Sequence, residues 1–174
     1  RDAMIALPGL ALACGSPDVA RDILDTFARF EDGGMLPNVF PGDGELPAYN
    51  TVDAALWYVE AWRAYVDATA DIGGLERAFG VLERIILGYR DGTRYGIRRD
   101  AGDGLITAGE AGVQLTWMDA KAGDWVVTPR HGKPVEIKAL WCSALTEMAD
   151  FSRRLGRDPA GYEALAATAK AGQR

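Results

Sequence analysis

Hydrophobic residues recur along most of the chain at spacings of three and four, the period of helices with one buried face. The first run, 3–14, is apolar almost all round and predicts a helix packed between others. Five amphipathic helices follow, marked by apolar positions within 19–30, 52–66, 79–89, 137–155 and 162–165. Ser16-Pro17 and Asp158-Pro159 are N-terminal signals for the second and sixth helices, and the third is expected to begin at Asn50 or Thr51. The pattern predicts an all-α domain built from pairs of helices.

Two segments between the helix pairs, 31–49 and 90–135, are unusually long. Loops beyond roughly 15 residues inside a compact domain are usually functional or disordered. The aromatic and charged residues in these segments favour ordered loops, with short β-strands expected at 96–97 and 125–128. Because the chain contains neither a low-complexity tract nor an evident linker, we expect one domain over 1–174.

Composition narrows the class of partner. The chain has 19 basic and 25 acidic residues, a net charge of -6, which argues against nucleic acid or an anionic membrane as the main partner. No apolar run reaches the roughly 18 residues that a membrane helix needs. Cys14 and Cys142 lie in apolar runs and are expected to be buried free thiols, which suits a reducing compartment. The start at Arg1 without a methionine predicts a fragment of a longer protein.

Acidic residues stand at expected helix starts and in one long loop. An acid in a first helical turn is accounted for by the helix dipole alone. In an antiparallel array of helix pairs, however, the loops that enter the inner helices lie at one end, so these acids are expected to converge on one mouth. Carboxylates accept sugar hydroxyls, and indoles such as those of Trp117 and Trp125 cover apolar sugar faces. The sequence therefore predicts a carbohydrate site; its acids are Asp2, Asp53, Asp119 and Glu136.

Other chemistries are weakly represented. His131 is the only histidine, which excludes a zinc site made of several histidines. Asp100 and Asp103 are misplaced for a calcium-binding loop, and a chain of turns explains them better. The glycine pairs lack the strand–glycine–helix context of a phosphate loop. We therefore expect no cofactor and no metal.

Several strings resemble the C-terminal amylo-α-1,6-glucosidase domain of glycogen debranching enzymes. They lie in the family's order at 1–5, 37–38, 49–54, 114–121, 128–130, 132–137 and 139–141, with TWMDAK at 116–121 and GKPVEI at 132–137 the most specific. The resemblance implies an (α/α)6 toroid, of which this chain would supply about half. It also implies hydrolysis, with inversion, of the α-1,6-linked glucose at branch points of glycogen or a limit dextrin.

The same resemblance implies the site residues. An inverting glycosidase uses two carboxyls about 6.5–9.5 Å apart. The general acid falls on Asp119, which Trp117 is expected to shield from water, while the base lies downstream of the chain, so the isolated fragment is expected to be inactive. The residues implied to bind substrate are Arg1, Asp2, Asn50, Asp53, Trp117, Lys121 and Glu136.

The resemblance therefore implies a cytoplasmic enzyme. Its partners would be glycogen or a branched α-glucan and the remainder of the parent chain. Two alternatives stay open at this stage. A trehalase-like enzyme or another α-glucosidase would share the fold and differ in the linkage cleaved. A non-catalytic glucan-binding module would need only one acid without its base.

Overall fold

The computed structural model of the protein describes residues 1–40 and 46–173, so part of the 31–49 loop lies outside the described residues. Within them the chain forms six α-helices joined by loops, which confirms the all-α class. They are α1 (Asp2–Leu7), α2 (Pro17–Ala28), α3 (Ala54–Thr69), α4 (Ile72–Asp91), α5 (Val135–Arg154) and α6 (Ala160–Gly172). A π-helical turn, Pro8–Leu12, continues α1, and a 3-10 turn, Arg94–Gly96, follows α4. None of the described helices combines the length and apolar character required to cross a bilayer.

Two small antiparallel hairpins interrupt the 90–135 segment. Strand β1 (Arg98–Arg99) pairs with β2 (Ile106–Thr107), and β3 (Lys121–Ala122) pairs with β4 (Trp125–Val126). The first strand begins just after the predicted position at 96–97, and β4 covers the first half of the prediction at 125–128. An isolated bridge between Ala108 and Gly132 then ties the β1–β2 hairpin to the segment that leads into α5.

Helices α3 and α5 form the centre of the core. Helix α3 packs against α1, α2, α4 and α5, and α5 packs against α3, α4 and α6. Tyr89 of α4 stacks on Trp141 of α5 with ring centroids 6.3 Å apart. Their polar atoms reach the loops, since the Tyr89 hydroxyl donates to the Val52 carbonyl (2.8 Å) and the Trp141 indole N–H donates to the Gly104 carbonyl (3.0 Å). The core thus fixes the loop entering α3 and the β1–β2 hairpin.

The start of α3 differs from the predicted one. The backbone N–H of Ala54 donates to the Thr51 hydroxyl oxygen at 2.9 Å, and the helix begins only after this contact. Asp53 occupies the N-cap position, so the Thr51 hydroxyl contacts the first helical N–H from outside the helix. The prediction of a start at Asn50 or Thr51 is therefore wrong by a few residues, and 51–53 form a buried bend before α3.

Within the described residues, the prediction that the first helix packs between others holds for one of its faces only. Met4, Leu7 and Ala11 are buried, but Ile5 is 46% exposed and Leu10 is 78% exposed. The helix packs against α2 and α3 on one side only, so its opposite face has no neighbour among the described residues. Cys142 is a buried free thiol as predicted, whereas Cys14, which follows the π-helical turn, is free and exposed.

A contact between two glycines holds the 31–40 loop on α4. A Cβ built on Gly34 would lie only 2.8 Å from the Gly88 Cα, and Gly34 has a positive φ of 83°. The backbone N–H of Gly34 donates to Glu31, whose other carboxylate oxygen pairs with Arg84 of α4 at 2.5 Å. The close backbone approach requires glycine at both positions.

Candidate active site

A cavity of about 310 Å³ opens where three helices begin. Arg1 precedes α1, Asp53 is the residue before α3, and Glu136 lies in the first turn of α5. The N-termini of these helices therefore share one mouth, where their dipoles favour negative charge. The complete lining is Arg1, Ile5, Asp53, Trp57, Trp117, Glu136, Ala139 and Leu140.

Asp53 is the buried acid of the site, with only 2% of its surface exposed. Burial raises its pKa, while the Thr51 hydroxyl, which donates to Oδ1 at 2.8 Å, and the charge of Arg1 act in the opposite direction. The Arg1 Nη1 lies 3.7 Å from the other oxygen, Oδ2. A carboxylate held in this way is fixed in position by two neighbours and has little contact with water.

Arg1 joins Asp53 to a second acid. Its Nη2 donates to Asp119 Oδ2 at 3.1 Å, and its side chain is 10% exposed, whereas that of Asp119 is 48% exposed. Asp2, also beside the guanidinium with Oδ1 3.4 Å from Nε, points its side chain into solvent and is 92% exposed. One cation therefore gathers three carboxylates that differ widely in their access to water.

Aromatic and apolar side chains form the rest of the wall. Trp57 of α3 is half-buried in the cavity lining, to which α5 contributes the apolar residues Ala139 and Leu140. Trp117 also lines the cavity, yet it is 57% exposed. Since Asp119 is about half exposed as well, Trp117 does not enclose the acid within the described residues, contrary to the expected shielding.

Glu136 has a partner that sequence reasoning missed. The Arg130 Nη2 donates to Glu136 Oε2, and the Arg130 Nη1 lies 3.4 Å from the sulfur of Met118. The other Glu136 oxygen, Oε1, is buried and has no hydrogen-bond partner among the described residues. One feature of the sequence could have indicated this pair: Arg130 lies in the loop that leads to Glu136, an acid at a predicted helix start.

The profile of one protein family, described as amylo-alpha-1,6-glucosidase, matches residues 1–173. The chain belongs to this family. A curated relative, the glycogen debranching enzyme of Saccharomyces cerevisiae, is 29% identical over 208 aligned positions. The match covers 88% of this chain and 14% of the yeast enzyme, so the chain spans a small part of that relative's length. Membership confirms the resemblance found in the sequence strings.

Four of the eight residues that the family resemblance implied do not line the cavity: Asp2 and Asp119, which contact Arg1, and Asn50 and Lys121. Asn50 is exposed in the loop before α3 and does not line the cavity. Lys121, in β3, donates from Nζ to the Gly112 carbonyl at 2.6 Å and is also exposed. Both lie on loops that border the site rather than in its lining.

The acids that suggested a calcium loop are held by a lysine. The Lys133 Nζ lies 2.6 Å from both Asp100 Oδ2 and Asp103 Oδ2. Hydrogen bonds to Lys133 lower the pKa of both carboxyls, and the two carboxylates raise the pKa of Lys133. Residues 1–40 and 46–173 contain no group of three or more side chains placed to hold a metal ion.

Proposed function

We propose that this chain is part of a glycoside hydrolase that removes α-1,6-linked glucose at branch points of glycogen or a limit dextrin. The proposal is carried by one observation: Arg1 binds both Asp53 and Asp119 at the mouth of a cavity lined by two indoles, in a chain of the amylo-alpha-1,6-glucosidase family. The cavity, at about 310 Å³, lies at the small end of ligand sites and suits a single terminal sugar.

In this proposal Asp119 is the general acid. Its half-exposed position at the mouth leaves its carboxyl accessible to a glycosidic oxygen. It gives its proton to that oxygen as the bond from the sugar C1 breaks, and a water molecule forms the new bond to C1 from the opposite face. The base that takes the proton of the water is proposed to lie in a part of the protein outside this chain. Attack from the opposite face inverts the anomeric configuration.

The remaining residues would bind the terminal glucose. Asp53 and Asp2 accept its hydroxyls with Arg1 beside them, and Trp117 covers an apolar face of the ring. Glu136 offers a buried carboxylate oxygen without a partner within the described residues, which a sugar hydroxyl can satisfy. Asn50 and Lys121, exposed on the bordering loops, would contact the glucan outside the cavity.

We further propose that residues 1–174 belong to one domain of this enzyme, about half of an (α/α)6 toroid, and that the chain alone is inactive. A cytoplasmic location is supported by the two free cysteines, since oxidising compartments favour disulfides. The net charge of -6 supports a neutral glucan as the partner rather than nucleic acid or an anionic membrane.

The test is glucose release by the full-length protein from a phosphorylase limit dextrin, with trehalose and maltose as competing substrates. The proposal expects preference for the dextrin and appearance of β-glucose first, observed by proton NMR. First release of α-glucose would contradict inversion, and preference for trehalose would assign the site to a trehalase-like enzyme. Glucan binding without hydrolysis of any glucoside would identify a binding module.

A further inference from the structure

The guanidinium of Arg130 connects two walls of the cavity. Its Nη2 donates to Glu136 in the first turn of α5, and its Nη1 lies 3.4 Å from Met118, between Trp117 and Asp119. We infer that Arg130 is a positioning residue, which fixes the Glu136 carboxylate and the 116–119 loop relative to each other for sugar binding. This inference rests on the proposed glucosidase function.

The backbone that carries Arg130 is fixed within three residues. Gly132 and Ala108 exchange two backbone hydrogen bonds of 2.8 and 2.9 Å. Lys133 is held between the carboxylates of Asp100 and Asp103 in the β1–β2 turn. The β1–β2 hairpin is itself bound to α5, because the Trp141 indole N–H donates to the Gly104 carbonyl. The backbone position of Arg130 is therefore fixed by the core.

The ion pair is sheltered enough to constrain both partners. The side chains of Arg130 and Glu136 are 21% and 24% exposed, less than those of the surface pair Arg157–Glu76, which are 41% and 56% exposed. The guanidinium contacts the carboxylate through Nη2 and the Met118 sulfur through Nη1, and its planar geometry holds these two donors in fixed directions relative to each other. With Oε2 held by Arg130, the buried Oε1 has no hydrogen-bond partner among the described residues, and a sugar hydroxyl at that oxygen would complete its hydrogen bonding.

A lysine cannot reproduce this arrangement. Its single ammonium can reach Glu136 or Met118 but does not present two fixed donors to both. Arg130→Lys should therefore preserve the charge and the fold while loosening the loop relative to α5. Arg130→Met should remove both contacts and leave the Glu136 carboxylate free to rotate.

The experiment compares Arg130→Met, Arg130→Lys, Glu136→Gln and the double variant Arg130→Met/Glu136→Gln in the full-length protein. It measures kcat/KM on a limit dextrin and the Kd for isomaltose by calorimetry. Arg130→Met should lower kcat/KM and raise Kd, each by about tenfold or more, because a charged hydrogen bond is lost. Arg130→Lys should change both constants in the same directions by a smaller factor. Because Arg130 acts through Glu136, the double variant should lose little more than the larger single loss.

Arg157→Met is the matched control, since Arg157 pairs with Glu76 at 2.6 Å on the surface and does not line the cavity. It should change neither constant. Losses that add fully in the double variant, or an Arg130→Met variant with wild-type constants, would overturn the inference. A wild-type protein that binds isomaltose but releases no glucose would refute the proposed function. In that case the Kd values of the single and double variants would test the inference about Arg130 by themselves. A wild-type protein that does neither would overturn both.

Discussion

Arg1 donates a hydrogen bond to Asp119 over a separation of 118 positions, with Nη2 3.1 Å from Oδ2. The same guanidinium lies 3.7 Å from the buried Asp53. The two acids share a cation but differ in surroundings, because one is almost fully buried and the other is about half exposed. This difference predicts different roles for them in the proposed reaction.

The first prediction separates those roles by the leaving group. A poor leaving group such as a sugar hydroxyl needs protonation, whereas fluoride needs much less. In the full-length protein, Asp119→Asn should lose on the order of 10²–10⁴ in rate on a limit dextrin and retain far more activity on α-glucosyl fluoride. Asp53→Asn should reduce both rates together, because it removes a contact to the bound sugar. Steady-state kinetics on the two substrates provide the measurement, and the reverse pattern would exchange the roles.

The second prediction concerns the indole at the mouth. Trp117→Ala should weaken glucan binding roughly tenfold, since the apolar face of the sugar loses its cover. The melting temperature should change little because Trp117 is 57% exposed. Trp125→Ala is the matched control: Trp125 is another loop tryptophan, 65% exposed, outside the cavity lining. Equal affinities for the two variants would make Trp117 a surface residue without a role in binding.

The third prediction tests Asp2 as a sugar ligand. Asp2 lies in the first turn of α1, and its side chain is 92% exposed beside Arg1. Asp2→Asn should lower kcat/KM roughly tenfold through a lost charged hydrogen bond. Asp18→Asn, which alters an acid in the first turn of α2, should leave kcat/KM unchanged. Normal kinetics together with a lower melting temperature would show that Asp2 serves only the helix dipole.

The fourth prediction concerns Glu147, which faces α3 from α5. Burial, followed by the charge of Glu60, raises the pKa of Glu147 to about 7, while Arg63, with Nε 3.3 Å from Oε1, opposes the rise. A carboxyl with a raised pKa in the folded state favours folding below its unfolded pKa, and that contribution is lost as the pH rises through the folded value.

Glu147→Gln should therefore melt above the wild type at pH 8, and the difference should vanish towards pH 4. The expected gain is about 2–4 °C for each kcal/mol recovered. Thermal melts across this range provide the measurement. Glu163→Gln, which alters a half-exposed acid paired with Arg153, should show no such trend. A Glu147→Gln variant less stable than the wild type at pH 8 would mean that its pairing with Arg63 outweighs the cost of burial.

The fifth prediction uses two glycines of α4. Alanine is favoured over glycine in a helix by about 1 kcal/mol, so Gly80→Ala, whose Cβ would meet only the end of Arg84 at 3.7 Å, should stabilise the protein. At Gly88 a Cβ would lie 2.8 Å from the Gly34 Cα, and Gly88→Ala should destabilise by about 1–3 kcal/mol. Urea unfolding compares the two variants. An equal gain at both positions would show that the 31–40 loop moves away from α4 without cost.

The six helices were predictable from the sequence because helical periodicity is local. Each apolar position at a spacing of three or four reports the buried face of its own helix, and α3 to α6 follow that signal. The family, too, was recognisable from short strings such as those at 116–121 and 132–137. The exact residue at which a helix begins is harder to predict, because side chains also bind backbone N–H groups. Thr51 is an example: its hydroxyl accepts from the Ala54 N–H, and α3 begins only at Ala54.

The sequence by itself thus determined the helical class, the family and the set of acids at helix starts. Only the tertiary structure decided which of these residues meet. The Arg1–Asp119 and Arg130–Glu136 contacts depend on the path of the 90–135 segment, and Lys121 stays outside the cavity for the same reason. The physical cause is that periodicity records burial along one element. The partners of a charged side chain are set by how separate elements pack, and no local pattern carries that information.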